Sequence, residues 1–530
     1  MMNSPKEVLL GEEARARLKQ GVDIVGDAVG TTIGPRGKNV VIERKYGSPT
    51  ITNDGYTVAN NIDDLSDPFV NAGVLLAYQA AKKTNSTAGD GTSTATILTQ
   101  HIYAEAHKII ASGVNAMVLR KGMEKAAAAV AEAIVASSRQ VAGLEELEWV
   151  ASISANDPEM GKLIAGVLYE VGKDGGVNIE DGRTADVDVE YVSGVTFDRG
   201  FVSPYFAGAD QETQTTLDNP SVFVTDQKIS AASDILPFLE KFLATGQKSL
   251  LIIAEDIEGE ALGTLVLNKL RGVLDVVAVK APAFGDRRRG MLEDYAIFSG
   301  GELYAKETGV GWDDVGLDYL GSVESATIRK DETVLIKGSG TEKDVKKRID
   351  FLWGQHEAAK NDFDREKLSE RANTLSGTVA VINVGAPTEV EQKERKARVE
   401  DAVHASRAAL EDGVVPGGGT ALIRAASAIN DLDLSGDELI GAGIIQKALS
   451  QPLMRIADNA GEEGAVVASK VSNGDGAFGF NAATGEYEDL VKAGIVDPTK
   501  VVRLAVENAV SAAVMITTTE TLVVDASENS

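Results

Sequence analysis

The segment Ala88-Gly89-Asp90-Gly91-Thr92-Ser93-Thr94 carries the strongest chemical signal in this sequence. It precedes a run with helical spacing of apolar residues, which predicts a helix over 94–110. Two glycines permit tight turns, and consecutive N–H groups beside a helix N-terminus bind phosphate. The hydroxyl groups of Thr92, Ser93 and Thr94 add donors, and Asp90 offers a hard oxygen ligand for Mg²⁺. The simpler alternative is a glycine-rich turn that caps a helix.

Three further glycine turns accompany this segment, at Thr32-Ile33-Gly34-Pro35-Arg36-Gly37, Asn53-Asp54-Gly55 and Gly417-Gly418-Gly419. Each of them is more often a plain turn than a ligand site. Together they occupy the helical parts of the chain on both sides of a different middle, and this favours a nucleotide site. The Walker A pattern G-x-x-x-x-G-K-[ST] is absent from the sequence, which excludes the common P-loop ATPases.

Asp401 lies in a charged amphipathic helix predicted over 389–411. An acidic residue on such a helix usually belongs to a solvated face. The functional alternative makes Asp401 the base that orients or deprotonates an attacking water in phosphoryl transfer. The four histidines show no metal-binding spacing and are interpreted as structural.

Length and charge bound the possible classes of protein. A chain of 530 residues exceeds one hydrophobic core and suggests about three domains. A formal charge of −28 makes nucleic-acid binding improbable, and the lack of cysteine excludes disulfides and thiolate chemistry. No apolar signal region or membrane-spanning run is found, so a cytoplasmic location without membrane association is expected.

Two kinds of sequence pattern alternate along the chain. Helical spacing dominates before residue 147 and after residue 389, with helices predicted over 74–83 and 116–138. Between 177 and 381, short β-branched runs alternate with helical stretches, which is typical of an α/β domain. The strands are predicted over 249–254, 273–279 and 333–337, with a helix over 258–271. An α/β domain inserted into a helical domain explains this order.

Two predicted helices of the middle part are apolar on more than one face. The residues concerned are Ile235, Leu236, Phe238, Leu239, Phe242 and Leu243 on the first, and Leu262, Leu265, Val266, Leu267 and Leu270 on the second. One apolar stripe suffices for a helix packed on one side. The surplus indicates either a buried helix or an exposed groove for apolar peptide.

Taken together, these motifs resemble those of group I chaperonins of the GroEL type. Further motifs of the resemblance are Phe197-Asp198-Arg199-Gly200, Ser203-Pro204-Tyr205-Phe206, Lys280-Ala281-Pro282, Phe284-Gly285-Asp286-Arg287-Arg288, Asn481-Ala482-Ala483-Thr484 and Asp497-Pro498-Thr499-Lys500. They follow the family's order from near the N-terminus to about Glu520.

The resemblance implies the chaperonin fold, a multi-domain α/β architecture with a mainly helical equatorial domain split by an insertion. The expected segments are equatorial 1–136, intermediate 137–192, apical 193–379, intermediate 380–410 and equatorial 411–530. The implied assembly is a homo-oligomer of seven-membered rings, usually two stacked. The implied partners are non-native polypeptides and a small co-chaperonin of the GroES type.

The resemblance also implies an ATPase site with ATP and Mg²⁺ as cofactors. Asp401 would swing in to activate water with help from Asp54, and Asp90 would hold Mg²⁺. The nucleotide-binding residues carried over by position are Thr32, Ile33, Gly34, Pro35, Asn53, Asp90, Gly91, Thr92, Ser93, Thr94, Gly418, Asn481, Ala482, Ala483 and Asp497. The client-binding residues carried over are Phe201, Tyr205, Phe206, Leu236, Leu239, Leu262, Val266 and Leu267, all apolar or aromatic, which favours the exposed groove.

Two departures from the family pattern bear on these expectations. Asn53 stands where the family usually has lysine, whose backbone carbonyl is thought to help bind K⁺, so K⁺ is a possible further cofactor. Gly377-Thr378 replaces a Gly-Gly hinge, which predicts a stiffer hinge. Two other functions stay open from the residues themselves: a small-molecule phosphotransferase that uses the same loops, and a nucleotide-independent scaffold or holdase.

Overall fold

The computed structural model of the chain describes residues 5–44, 49–62, 64–172, 175–207, 214–359 and 361–525. These residues form two compact units. Unit 1 comprises Met1–Lys173 and Ala386–Ser530, and unit 2 comprises Asp174–Gly385. Unit 2 is therefore an insertion in the sequence of unit 1.

Helices make up most of unit 1. In unit 2, a separate set of helices packs on a sheet. Numbered in chain order, they are α1 Gly11–Gly30, α2 Gly55–Asn60, α3 Pro68–Ala88, α4 Thr92–Ala111, α5 Ala116–Ala136, α6 Leu144–Ala155, α7 Pro158–Val171, α8 Ala232–Ala244, α9 Gly259–Leu270, α10 Gly285–Ser299, α11 Glu342–Ala358, α12 Asp362–Leu375, α13 Glu389–Asp412, α14 Thr420–Ala425, α15 Gly436–Ala448, α16 Gln451–Ala460, α17 Gly464–Ser472 and α18 Thr499–Thr517. None of the helices in this described part of the chain is long and apolar enough to cross a bilayer.

The strands belong mostly to unit 2. They are β1 Lys6–Leu10, β2 Val40–Ile42, β3 Thr50–Thr52, β4 Val177–Asp181, β5 Val187–Phe197, β6 Gln214–Asp218, β7 Ser221–Thr225, β8 Lys228–Ile229, β9 Ser249–Ala254, β10 Asp256–Ile257, β11 Asp275–Lys280, β12 Leu303–Tyr304, β13 Gly321–Arg329, β14 Thr333–Gly338, β15 Thr378–Val384, β16 Val414–Pro416, β17 Phe478–Asn481, β18 Glu486–Asp489, β19 Val496–Pro498 and β20 Thr521–Asp525. Short 3₁₀ turns occur as well, among them Pro204–Phe206.

The helices and strands named from the sequence are confirmed, with shifted ends. α3 begins earlier than predicted, because the Asp67 side chain accepts hydrogen bonds from the N–H groups of Phe69 and Val70 and Pro68 suits a first helical turn. β11 begins two residues late, because the N–H groups of Val273 and Leu274 bond to the Asn268 carbonyl at the end of α9. The mixed α/β class of the chain is likewise confirmed. The five-segment division stays a prediction.

Unit 1 is held together by helices from both ends of the chain. α18 contacts α3, α4 and α5, and its valines join Leu98, Ile102 and Ile134 in one core. At the chain ends β1 pairs antiparallel with β20, from Lys6 opposite Asp525 to Leu10 opposite Thr521. The N-terminal and C-terminal parts of the sequence therefore build one compact unit.

Unit 2 is built on a ten-stranded sheet with the main strand order β11-β9-β7-β13-β14-β5-β15-β4. β7, β9 and β11 pair in parallel, which suits the helical connections α8 and α9 between them. α8 and α9 lie against each other, and α9 contacts the turn Pro204–Phe206. These three elements form one end of the unit.

A buried ion-pair network joins α10, α11 and α12 of unit 2. The Asp294 carboxylate, with 4% of its side chain exposed, accepts from Arg348 Nε at 2.7 Å and from Arg371 Nε at 2.7 Å. Both guanidinium groups also donate to the Gly290 carbonyl, at 3.2 and 2.8 Å. Arg348 Nη2 also pairs with Glu293 at 2.9 Å, so Asp294 is the buried acceptor that the two arginines share.

Replacing Asp294 by asparagine should destabilise unit 2 by about 3 kcal/mol, because the guanidinium group of Arg371 loses its counter-charge and that of Arg348 keeps only its pair with Glu293. Urea unfolding followed by tryptophan fluorescence measures this, since Trp312 and Trp353 lie in this unit. The control is Asp275→Asn, whose exposed pair with Lys269 at 2.8 Å should contribute less than about 1 kcal/mol. Equal shifts in both variants would contradict the prediction.

Candidate functional site

The loop between α3 and α4 owes its shape to two glycines. Gly89 (φ +71°) ends α3 and Gly91 (φ +83°) precedes α4, both in the left-handed region. A Cβ atom at Gly91 would lie 2.6 Å from Cγ1 of Val501, so space as well as backbone angle requires glycine there. The result is a turn that leads into the N-terminus of a twenty-residue helix, where N–H groups are available to an anion.

The loop after α1 is fixed beside it. Asn459 Nδ2 donates to the carbonyls of Gly30 at 3.0 Å and Ile33 at 2.9 Å. Thr32 Oγ1 donates to the Val29 carbonyl at 2.8 Å and lies 3.4 Å from Ser93 Oγ. Two predicted nucleotide loops, 61 residues apart in sequence, therefore meet.

The third turn packs against the same loop. The Asp54 carboxylate caps α2 by accepting from the N–H groups of Tyr56 at 3.1 Å and Thr57 at 2.8 Å. A Cβ atom at Gly55 would lie 2.1 Å from Ser93 Oγ, so the two chain segments touch. Asp54 is held in a fixed orientation next to the loop that carries Asp90.

Asp401, on α13, completes a group of acidic residues. Burial, followed by repulsion from Asp54, Asp90 and Glu400, raises the pKa of Asp401 well above its ordinary value. Burial is also the main cause that raises the pKa of Asp90, and Asp54 adds to it. Asp401 therefore lies within electrostatic reach of Asp54 and Asp90.

Asp497 is the fourth acid, and strand pairing positions it. β16 pairs antiparallel with β19, with Val415 opposite Asp497, and the N–H group of Gly418 donates to the Asp497 carboxylate. Burial, with repulsion from Asp90 as the next cause, raises the pKa of Asp497 to about 7. The Gly417–Gly419 turn thereby joins the same site.

The hairpin β17–β18 supplies the remaining predicted nucleotide residues. Asn481 Oδ1 accepts from the N–H group of Ala483 at 3.0 Å, and Asn481 Nδ2 donates to Glu488 Oε1 at 2.8 Å. Arg36 Nη2 donates to the Ala483 carbonyl at 2.9 Å, which ties this hairpin to the loop after α1. The Phe480 carbonyl lies close to Gly418, 3.8 Å from where its Cβ atom would be.

The four acids lack a protein counter-charge. In the described ranges, no lysine or arginine forms a salt bridge with Asp54, Asp90, Asp401 or Asp497, and no group of three His, Cys, Asp or Glu side chains could enclose a metal ion. Mg²⁺ is commonly held by one or two carboxylates together with phosphate oxygens and water. The donor set therefore fits Mg²⁺ accompanied by a phosphate group.

Two contacts of the site escaped the sequence analysis. Ser154 Oγ, on α6, donates to Asp90 Oδ2 at 3.0 Å, and Asn459 holds the loop after α1. Neither residue lies in a glycine turn or at a recognisable spacing from the acids, so only the tertiary structure identifies them.

The predicted client-binding residues lie at the end of unit 2 formed by α8, α9 and the turn Pro204–Phe206. Tyr205, Leu236 and Leu267 are exposed by 68%, 40% and 52%. Phe201, Leu262 and Val266 are partly buried against the core. The expectation of exposure is wrong for Phe206 (0%) and Leu239 (3%), because both side chains fill the core of the unit.

Comparison with known proteins agrees with this architecture. The model of the TCP-1/cpn60 chaperonin family matches residues 25–527. Two crystal structures of the chaperonin gp146 from the bacteriophage EL 2 (Pseudomonas aeruginosa), both in the presence of ATP-BeFx, have 23% sequence identity and cover 98% of this chain and 99% of theirs. Their TM-scores are 0.70 and 0.62, so the fold is shared along the whole chain.

Asp497→Asn should stabilise the protein more at pH 7.5 than at pH 4.5, without nucleotide or divalent cations. The folded-state pKa of about 7 lies above the unfolded value of about 3.9, so stability is lost as the pH rises between these values. The asparagine removes this loss, about 1–2 kcal/mol after allowance for solvent screening. Thermal unfolding at both pH values measures it beside Asp431→Asn, an exposed acid. A pH-independent difference would contradict the prediction.

Proposed function

Because the chain belongs to the TCP-1/cpn60 chaperonin family, we propose that it is a group I chaperonin subunit. It binds and hydrolyses ATP and uses the cycle to capture and enclose non-native polypeptides for folding. The convergence of four acids with four glycine turns in unit 1 carries this proposal. The group I assignment rests on the motifs quoted from the sequence.

The loops after α1 and before α4 are proposed to hold the phosphates. The hydroxyl groups of Thr92, Ser93 and Thr94 and the N–H groups at the start of α4 are suitable donors. Gly418, the hairpin residues Asn481–Ala483 and Asp497 surround the base and ribose. Asn53 and the segment Thr32–Pro35 complete the proposed pocket.

Asp401 is proposed as the base that orients or deprotonates the attacking water. Its pKa is raised by burial and by neighbouring carboxylates, and a higher pKa makes a carboxylate a stronger proton acceptor. Asp54 assists it, held in position by its two bonds to the α2 backbone. Positioning and electrostatic stabilisation dominate phosphoryl transfer, and these residues supply both.

Asp90 is proposed as the protein ligand of Mg²⁺. When bound, Mg²⁺ neutralises charge on the phosphate oxygens. Its charge would also offset the repulsion that raises the pKa of Asp401 and Asp90. A K⁺ site that uses the Asn53 carbonyl is proposed from the family resemblance alone.

Client capture is proposed for the exposed apolar surface of α8, α9 and the turn Pro204–Phe206. Tyr205, Leu236 and Leu267 supply its exposed side chains, and Phe201, Leu262 and Val266 its partly buried floor. Such a surface suits apolar segments of unfolded chains. Phe206 and Leu239 support it from below.

The wider assembly follows the family pattern. We propose a homo-oligomer of seven-membered rings, usually two stacked, closed by a small co-chaperonin and located in the cytoplasm. The boundaries of equatorial, intermediate and apical domains given above belong to this proposal. So does a stiff hinge at Gly377-Thr378.

Asp401→Ala should lower kcat for ATP hydrolysis at least about 100-fold, the usual contribution of a general base, while nucleotide binding and ring assembly persist. Phosphate release and electron microscopy of the same preparations measure this. The control is Glu411→Gln, an exposed acid on the same helix that pairs with Lys500 at 2.6 Å. If wild type and Asp401→Ala both form rings but neither hydrolyses ATP, the protein would instead be a nucleotide-independent scaffold. Monomers with rapid turnover would favour a small-molecule phosphotransferase.

Leu267→Ser should weaken capture of a chemically denatured client about tenfold, because the surface loses most of the transfer free energy of one leucine. Co-sedimentation of the assembled protein with a labelled client measures this. Phe351→Ser, an exposed aromatic residue on α11, is the control and should bind clients normally. Leu239→Ser should instead lower the stability of unit 2, since that side chain is buried. Unchanged capture by Leu267→Ser would contradict the assignment of this surface.

A further inference from the structure

The Asp90 carboxylate is held by the protein at both oxygens. Oδ1 accepts from the N–H group of Gly91, the next residue in the chain. Oδ2 accepts from Ser154 Oγ at 3.0 Å, which reaches it from the last turn of α6, 64 residues away. Within the residues that the structure describes, Ser154 is the only side chain that bonds to Asp90.

The helix that carries Ser154 is joined to the helix that carries the proposed base. Arg398 Nη1 on α13 donates to the carbonyl of Ala155, the last residue of α6, at 3.3 Å. Val150 of α6 packs with Ala405 and Ala409 of α13 in one apolar cluster. The two helices are therefore packed together, and Ser154 and Asp401 lie on this packed pair.

We propose that Ser154 is a positioning residue for the metal ligand: its hydroxyl aims the Asp90 carboxylate at the metal and links it to the helix pair that carries Asp401. This inference deepens the proposed function and rests on it. Each carboxylate oxygen has two lone pairs, so Asp90 Oδ2 can accept from Ser154 and still bind a cation. A donor behind a ligating carboxylate fixes its direction, and loss of such a donor typically costs 10–100-fold in metal affinity.

The test measures the affinity for Mn²⁺, which takes the place of Mg²⁺ and is detected directly by electron paramagnetic resonance. Mn²⁺ is titrated into the assembled full-length protein saturated with ADP. Ser154→Ala should raise the Kd for Mn²⁺ about tenfold, and Ser154→Thr, which keeps the hydroxyl, should restore it. Ser154→Cys keeps the size but donates weakly, so it should resemble the alanine variant.

The matched control is Ser152→Ala, the same substitution on the same helix. Ser152 faces α7, since a Cβ atom at Gly161 would lie 2.2 Å from Ser152 Oγ. This variant should bind Mn²⁺ like the wild type. A loss shared by Ser152→Ala and Ser154→Ala would mean that any disturbance of α6 suffices, and the specific role of the hydroxyl would be refuted.

A second readout separates positioning from chemistry. In Ser154→Ala the Mg²⁺ concentration for half-maximal ATP hydrolysis should rise about tenfold, while kcat at saturating Mg²⁺ changes much less. Normal Mn²⁺ affinity in Ser154→Ala, together with lost affinity in Asp90→Ala, would overturn this inference and leave the proposed function intact. No ADP-dependent Mn²⁺ binding by the wild type, or none lost in Asp90→Ala, would overturn both.

Discussion

The withdrawal of neighbouring acids from solvent, with Asp54, Asp90, Asp401 and Asp497 grouped at one site, is the constraint on which the rest of unit 1 depends. Burying like charges together costs free energy, and the raised pKa values of three of these acids express that cost. A fold tolerates such a group when a ligand supplies the missing positive charge. In the part of the chain that the structure describes, no basic side chain pairs with these acids, and the Mg²⁺ and phosphate of the proposed function would supply that charge.

Rigid backbone holds the acids in place against their repulsion. Asp54 is tied to the start of α2, Asp497 to the N–H group of Gly418, and the glycine loops touch at Ser93. Asp401 differs, because it lies on α13, a long helix that packs against α6 and α7 and also contacts β3 and α3. The site therefore has a fixed part and a part carried by a helix pair. The contact between Ser154 and Asp90 crosses from one part to the other.

The sequence predicted those parts of the site that depend on local chain geometry. A glycine turn before a helix can be recognised in the sequence, because its backbone angles and spacing depend on a few neighbouring residues. Gly89 and Gly91 indeed adopt positive φ. Ser154 and Asn459 could not be found in this way, because their partners lie 64 and more than 400 residues away. The apolar helices α8 and α9 show what the composition of a segment does not reveal. Their composition revealed a surplus of apolar side chains, but not that Leu239 turns inward while Leu236 turns outward.

The pairing of β1 with β20 has a consequence for the order in which the protein is made. Residues 6–10 leave the ribosome long before residues 521–525, so β1 waits for its partner while the residues between them are synthesised. α18, which fills the core between α3, α4 and α5, is equally late. Unit 2 is one continuous stretch and can fold while the ribosome is still translating. A nascent chain that has not yet reached α18 therefore carries a complete unit 2 together with helices of unit 1 whose apolar faces are still uncovered.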